Sequence, residues 1–206
     1  FNLHNIQGAS NSGLHQFDAA IESYKKAIKI KPKDADTYNN MGITLNHNGE
    51  IDAAIESFKQ AIKINPKYAD AYLNMGIILK DKGELDAAIK SFKQAININP
   101  KDASVYLNMG ITLKDKGELD AAIKSFKEAL KINPNYSELY LNIGVAHRDK
   151  GEIEAAIDSY KRAIEIKPDF SDAYLNLGNV LQEKGDFESA VESYNQAVNI
   201  KPSNVE

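Results

Sequence analysis

Between Ala69 and about Lys82 the apolar residues Tyr72, Met75 and Leu79 return three and four positions apart. That spacing lines side chains up on one face of an α-helix. Gly83 follows, then Glu84 and Asp86, then a second run at helical spacing: Ala88, Ile89, Phe92, Ala95 and Ile96, ending at Pro100. The pattern predicts two helices, A and B, with a stop between them. Glycine adopts the left-handed conformation past a helix end without steric cost. Acids in the first turn of helix B favour the positive end of its dipole. Proline pushes the residue before it out of helical geometry.

The pattern then repeats. The stretch Tyr72–Pro100 recurs as Tyr106–Pro134 with four changes: Ile78/Thr112, Gln94/Glu128, Ile96/Leu130 and Asn97/Lys131. All six prolines (Pro32, Pro66, Pro100, Pro134, Pro168 and Pro202) stand 34 residues apart. A period of this length predicts an all-α array in which each helix pair is one unit. The units run 1–34, 35–68, 69–102, 103–136, 137–170 and 171–204. One pair cannot bury its apolar face alone, whereas stacked pairs can, so 1–206 reads as a single array. Gly76 and Ala88 are expected where helices A and B cross closely, and Ala95 against helix A of the next unit. Unit one is the poorest copy, with His4, Gln7 and Asn11 at its apolar positions and His15 in place of the inter-helix glycine. Its helix A is expected to be short or frayed, and His15 to take the left-handed conformation.

Composition narrows the function. Of 206 residues 26% are charged and 43% hydrophobic, a foldable balance rather than a disordered one. The net charge of −4 argues against nucleic-acid binding, which draws its affinity from basic phosphate contacts. With no cysteine, disulfides, thiolate metal sites and cysteine nucleophiles are excluded. No apolar run approaches the roughly 20 residues that cross a bilayer, and no signal peptide is visible. The expectation is a soluble protein in the cytoplasm. The chain opens on Phe1, not Met, and reads as a segment of something longer.

The residues Tyr72, Met75-Gly76, Leu79, Ala88, Phe92, Ala95 and Pro100 resemble the tetratricopeptide repeat. They recur as Tyr38, Met41-Gly42, Leu45, Ala54, Phe58, Ala61, Pro66 and as Tyr174, Leu177-Gly178, Leu181, Ala190, Tyr194, Ala197, Pro202. The resemblance covers nearly the whole chain. It implies a right-handed superhelical solenoid of six helix pairs, with helix A lining a concave groove.

On a helical wheel, positions four, seven, eight and eleven of helix A form a core face, and positions two, five, six, nine and thirteen the opposite one. Position six of this second face is Asn40, Asn74, Asn108, Asn142 and Asn176. Asparagine is a mediocre helix former, so its recurrence asks for a reason. One reading is a ladder: a carboxamide donates and accepts, and can pair with a peptide unit of a bound chain. Packed helices lie about 8–10 Å apart and an extended peptide rises about 3.3 Å per residue, so one rung would meet every third residue or so. The other reading is inheritance by unit duplication, with the amide bonded inside the scaffold. The Tyr-x-Asn-x-Gly signature is also similar to the arrays of O-linked N-acetylglucosamine transferases. That resemblance implies that these five asparagines hold substrate backbone.

Position nine adds Ile43, Ile77 and Ile111, and position twelve adds the cations Lys80, Lys114 and Arg148. With Asp81, Asp115 and Asp149 beside these cations, the face is a solvated rim or suits a ligand of mixed charge. A grip on a C-terminal carboxylate, as in chaperone-tail tetratricopeptide domains, is argued against. Position two is acidic (Asp36, Asp70, Glu138, Asp172), leaving too few cations. The four histidines form no metal-binding pair, and His147, in a slot that is otherwise mostly leucine, reads as half-buried and satisfied. No nucleophile–base arrangement, metal site or cofactor site is predicted. The function expected is a non-catalytic scaffold binding an extended peptide, with no nucleic-acid or membrane partner. Two alternatives remain: a substrate-recognition arm of a larger enzyme such as a protein glycosyltransferase, and an element that assembles end to end. No polar capping helix follows Pro202, so Val191, Ala197 and Val198 are expected to meet water and to support weak self-association.

Overall fold

A computed structural model describes residues 1–202; positions 203 and 204 of the sixth unit lie outside the described residues. Twelve α-helices and no strands occur among them. They are α1 (Asn2–Gly13), α2 (Phe17–Ile30), α3 (Ala35–His47), α4 (Ile51–Ile64), α5 (Ala69–Asp81), α6 (Leu85–Ile98), α7 (Ala103–Asp115), α8 (Leu119–Ile132), α9 (Ser137–Asp149), α10 (Ile153–Ile166), α11 (Ser171–Lys184) and α12 (Phe187–Ile200). Odd-numbered helices are the A helices and even-numbered ones the B helices. Contacts divide the chain into two compact units, Phe1–Lys101 and one starting at Asp102, each holding three helix pairs.

Turn chemistry follows the sequence. The inter-helix glycines Gly49, Gly83, Gly117, Gly151 and Gly185 all have positive φ. His15, their counterpart in the first pair, has φ 57, the left-handed conformation expected of it. Helix α1 is one residue shorter than α3.

Each pair is closed by an aromatic ring of its B helix packed on a glycine of its A helix. Phe92 packs on Gly76 and Tyr160 on Gly144, and the relation holds in all six pairs. The close crossing expected at Gly76 is therefore an approach of ring to backbone. Ala88 is fully buried beside it.

The buried arc of helix A differs from the one the apolar spacing predicts. In α5 the buried residues are Ala71, Gly76, Ile78 and Leu79, positions three, eight, ten and eleven, while Tyr72 and Met75 are half-buried. Positions three and ten face the preceding repeat. Ala173 packs with Ala163 of α10, and Val180 with Ile157 and Tyr160. The alanine at position 27 of α10 thus sits against the next A helix, as expected of Ala95. Positions three and ten hold residues such as Thr37, Thr44, Ala71 and Thr112, small or polar, and so add little to the apolar pattern.

One expectation is corrected at α12. Val191 and Val198 are exposed as expected, at 57% and 56%, but Ala197 is only 6% exposed. Its carbonyl accepts a hydrogen bond from Ser171 Oγ at 3.0 Å, so helix A of its own pair covers it.

Candidate functional site

Within each unit an A helix touches the next A helix: α1 with α3 and α3 with α5 in the first, α7 with α9 and α9 with α11 in the second. B helices touch A helices, and within each unit no B helix packs against another B helix. In each unit the A helices therefore form the inner row.

On these rows Asn40 and Asn74 of the first unit and Asn108, Asn142 and Asn176 of the second are all half-buried. In the second unit the three amides behave alike. Nδ2 of Asn108, Asn142 and Asn176 donates to the carbonyl oxygen of Ser104, Glu138 and Asp172, one turn earlier, at 2.9, 2.8 and 2.8 Å. In the first unit Asn74 Nδ2 instead donates to Asn39 Oδ1 on the neighbouring A helix, at 3.1 Å. Each of these four amides spends one N–H on the scaffold. Its Oδ1 and second N–H have no protein partner among the described residues. For Asn108, Asn142 and Asn176 the bond to backbone restricts the rotamer and with it the position of Oδ1.

The other candidates lie on the same rows. Ile43, Ile77 and Ile111 are half-buried. Lys80, Lys114 and Arg148 each pair with the next residue: Asp81 at 3.2 Å, Asp115 at 3.2 Å and Asp149 at 3.6 Å. Partly exposed pairs of this kind contribute roughly 0–1 kcal/mol, so a ligand can exchange them cheaply. His147 is half-buried, with Nδ1 2.5 Å from Glu152 Oε2, the satisfied state expected of it.

Two features escaped the sequence reading. Lysines at the ends of A helices tie successive repeats together: Lys82 reaches Asp52 at 2.9 Å, Lys150 reaches Asp120 at 2.7 Å and Lys184 reaches Glu154 at 2.7 Å. Their recurrence 34 residues apart was the available signal. The second feature is polar. The Tyr194 hydroxyl stands 2.9 Å from both Asn179 Oδ1 and Gln182 Oε1 on α11. These two amides, with Arg148 and Glu183, line an open pocket of about 600 Å³. Tyr160, the equivalent residue of α10, is fully buried, and its hydroxyl has no hydrogen-bond partner. Burial pushes its phenol up to about 12, with the charges of Arg148, Asp149 and Glu183 around it.

Among the described residues no group of three acidic or histidine side chains could hold a metal ion, and no helix is long and apolar enough to cross a membrane.

This arrangement of helix pairs, each closed by a ring on a glycine and packed on the next, defines an all-α repeat protein. The model of the TPR repeat matches residues 14–49, 44–83, 76–117, 112–148 and 146–185, and that of the tetratricopeptide repeat matches 171–204. The chain belongs to the tetratricopeptide repeat family. Among solved structures it is similar to MamA (28% identity, TM-score 0.73, covering 78% of this chain and 94% of that one). It is also similar to YrrB, described as a TPR protein with an unusual peptide-binding site (23%, TM-score 0.72, 89% and 95%). PilF of Pseudomonas aeruginosa shares the fold (18%, TM-score 0.81, 98% and 92%). No curated protein sequence matches significantly.

Proposed function

We propose that in each unit the inner row of A helices binds an extended segment of a partner protein, with the position-six asparagines contacting its backbone. The observation that carries this reading is the state of the amides. Four of the five are bonded through one N–H, which leaves an acceptor oxygen and a second N–H without a protein partner among the described residues. Half-buried Ile43 and Ile77 in the first unit, and Ile111 in the second, offer apolar contact on the inner row of their own unit. Similarity to a structure described as peptide-binding agrees with the class of ligand. The role is one of recognition, with no chemistry assigned to these residues.

The test begins with peptides selected on the chain from a displayed random library. Their affinities are then measured against Asn108→Ala/Asn142→Ala/Asn176→Ala. The expected result is a loss of at least about tenfold, since several hydrogen bonds of about 1 kcal/mol each disappear. Thermal stability should hold or rise, because alanine is the better helix former. Unchanged affinity would leave the asparagines as inherited scaffold.

A further inference from the structure

In an array whose repeats are near copies, departures from the shared residue that gather at one place are informative. The first two pairs depart at Ala9, Ser12, Asn46 and Tyr24, and four further departures fall in the last two pairs, where the geometry joins them. Position nine is Ile43, Ile77 and Ile111 earlier but Asn179 in α11. Position twelve is Ser12 and Asn46 in the first two units, then Lys80, Lys114 and Arg148, then Gln182. The closing ring is Tyr24 in the first pair, Phe58, Phe92 and Phe126 in the middle three, then Tyr160 and Tyr194. The rings of Tyr160 and Tyr194 pack in the core as phenylalanine does in the middle repeats, but the polar atoms of the four add nothing apolar to it.

The geometry joins them. A ring from helix B passes over the glycine of its own A helix, and in the last pair its hydroxyl reaches residues at positions nine and twelve. In the pair before, position nine is Val145, which cannot bond, and position twelve is Arg148. The Tyr160 hydroxyl is buried and has no hydrogen-bond partner. At the other tyrosine two amide oxygens share one hydroxyl hydrogen. A phenol donates once, so one of those oxygens keeps a lone pair for another donor.

We propose that the pocket bounded by Arg148, Asn179, Gln182 and Glu183 reads a side-chain carboxamide, glutamine or asparagine, of the bound segment. This rests on the peptide-binding reading above. Arg148 and Glu183 bring opposite charges to the lining, with Asp149 3.6 Å from Arg148. A carboxylate would gain Arg148 but face Glu183, and an ammonium would gain Glu183 but face Arg148. A carboxamide presents an oxygen to the guanidinium and an N–H to the carboxylate or the free amide oxygen at once. Arg148 is available for this, its one ion pair among the described residues being the 3.6 Å approach to Asp149.

The test uses the peptides selected from the random library. Glutamine or asparagine should dominate at one fixed position. Replacing it by glutamate, lysine or alanine should each weaken binding about tenfold by fluorescence anisotropy. The second arm restores the shared residues with Tyr160→Phe/Asn179→Ile/Gln182→Lys/Tyr194→Phe. Every new residue already stands at the equivalent position of another repeat, so this variant should melt no lower than the parent. Peptides selected on it should lose the carboxamide preference. Peptides that depend on Asn108, Asn142 and Asn176 but show no such preference, or the same preference on the restored variant, would overturn the pocket and leave the groove standing. Peptides indifferent to those asparagines, or failure to select any, would overturn both.

Discussion

The ring of Phe92 occupies the space where residue 76 would carry a β-carbon: a Cβ on Gly76 would stand 2.6 Å from Phe92 Cε1. Real Cβ contacts do not come that close, so the ring or the helix must move. Alanine would gain up to about 1 kcal/mol of helix propensity over glycine. Overpacking in a filled core costs about 1–3 kcal/mol, and a fully buried ring has little room to yield. Gly76→Ala is expected to destabilise the chain by about 1–2 kcal/mol net, read as a lower denaturation midpoint at unchanged slope. Gly76→Ala combined with Phe92→Leu should recover part of the loss. A single variant as stable as the parent would show that the ring is free to shift.

Asp34 caps α3, accepting from Thr37 N at 3.1 Å, Thr37 Oγ1 at 2.6 Å and Lys31 Nζ at 2.6 Å. Burial alone would raise its pKa, but these donors outweigh it and hold the carboxyl below its ordinary value. A folded-state pKa depressed below the unfolded value contributes stability above about pH 4, and that contribution is lost as pH falls through the folded value. Asp34→Asn keeps a capping oxygen and removes the titration. The difference in stability between parent and Asp34→Asn should therefore shrink as pH falls from 5 towards 2, about these values marking the carboxylate range. Asp34→Ala should cost about 1 kcal/mol at neutral pH. A pH-independent difference between parent and Asp34→Asn would refute the assignment.

On α12 the side chains of Phe187, Val191 and Val198 are 65%, 57% and 56% exposed, whereas Ile157, the counterpart of Val191 in the preceding pair, is 4% exposed. Burying one such side chain is worth about 1.5–3 kcal/mol, against an association cost of about 4–15 kcal/mol. Three of them support only weak pairing. The chain 1–206 is expected to show concentration-dependent association in sedimentation experiments, and Val191→Glu should abolish it. If parent and Val191→Glu sediment alike at every concentration, this face is not the cause.

The helix pairs, their turns and the repeat period were all legible in the chain, because each rests on local chemistry: 3.6-residue spacing, glycine or His15 at positive φ, proline after helix B. The five asparagines were legible as a recurrence but not in their bonding. Whether an amide reaches its own helix, as Asn142 does, or a neighbouring helix, as Asn74 does, depends on which side chain stands across the A-helix row. The buried role of Thr37, Ala71 and Val180 was hidden for a related reason. Those positions are buried by the preceding repeat, so a wheel drawn for one helix pair cannot show it. The same holds for the pocket at Arg148 and Gln182. Tyr160 and Phe92 are interchangeable to a pattern of apolar spacing, and they differ only where packing aims the para position. Sequence alone determined the helix pairs and the small residues that let them close. Tertiary structure decided which polar atoms remained unpaired on the inner face, because hydrogen-bond partners are set by distances across helices that local periodicity does not encode.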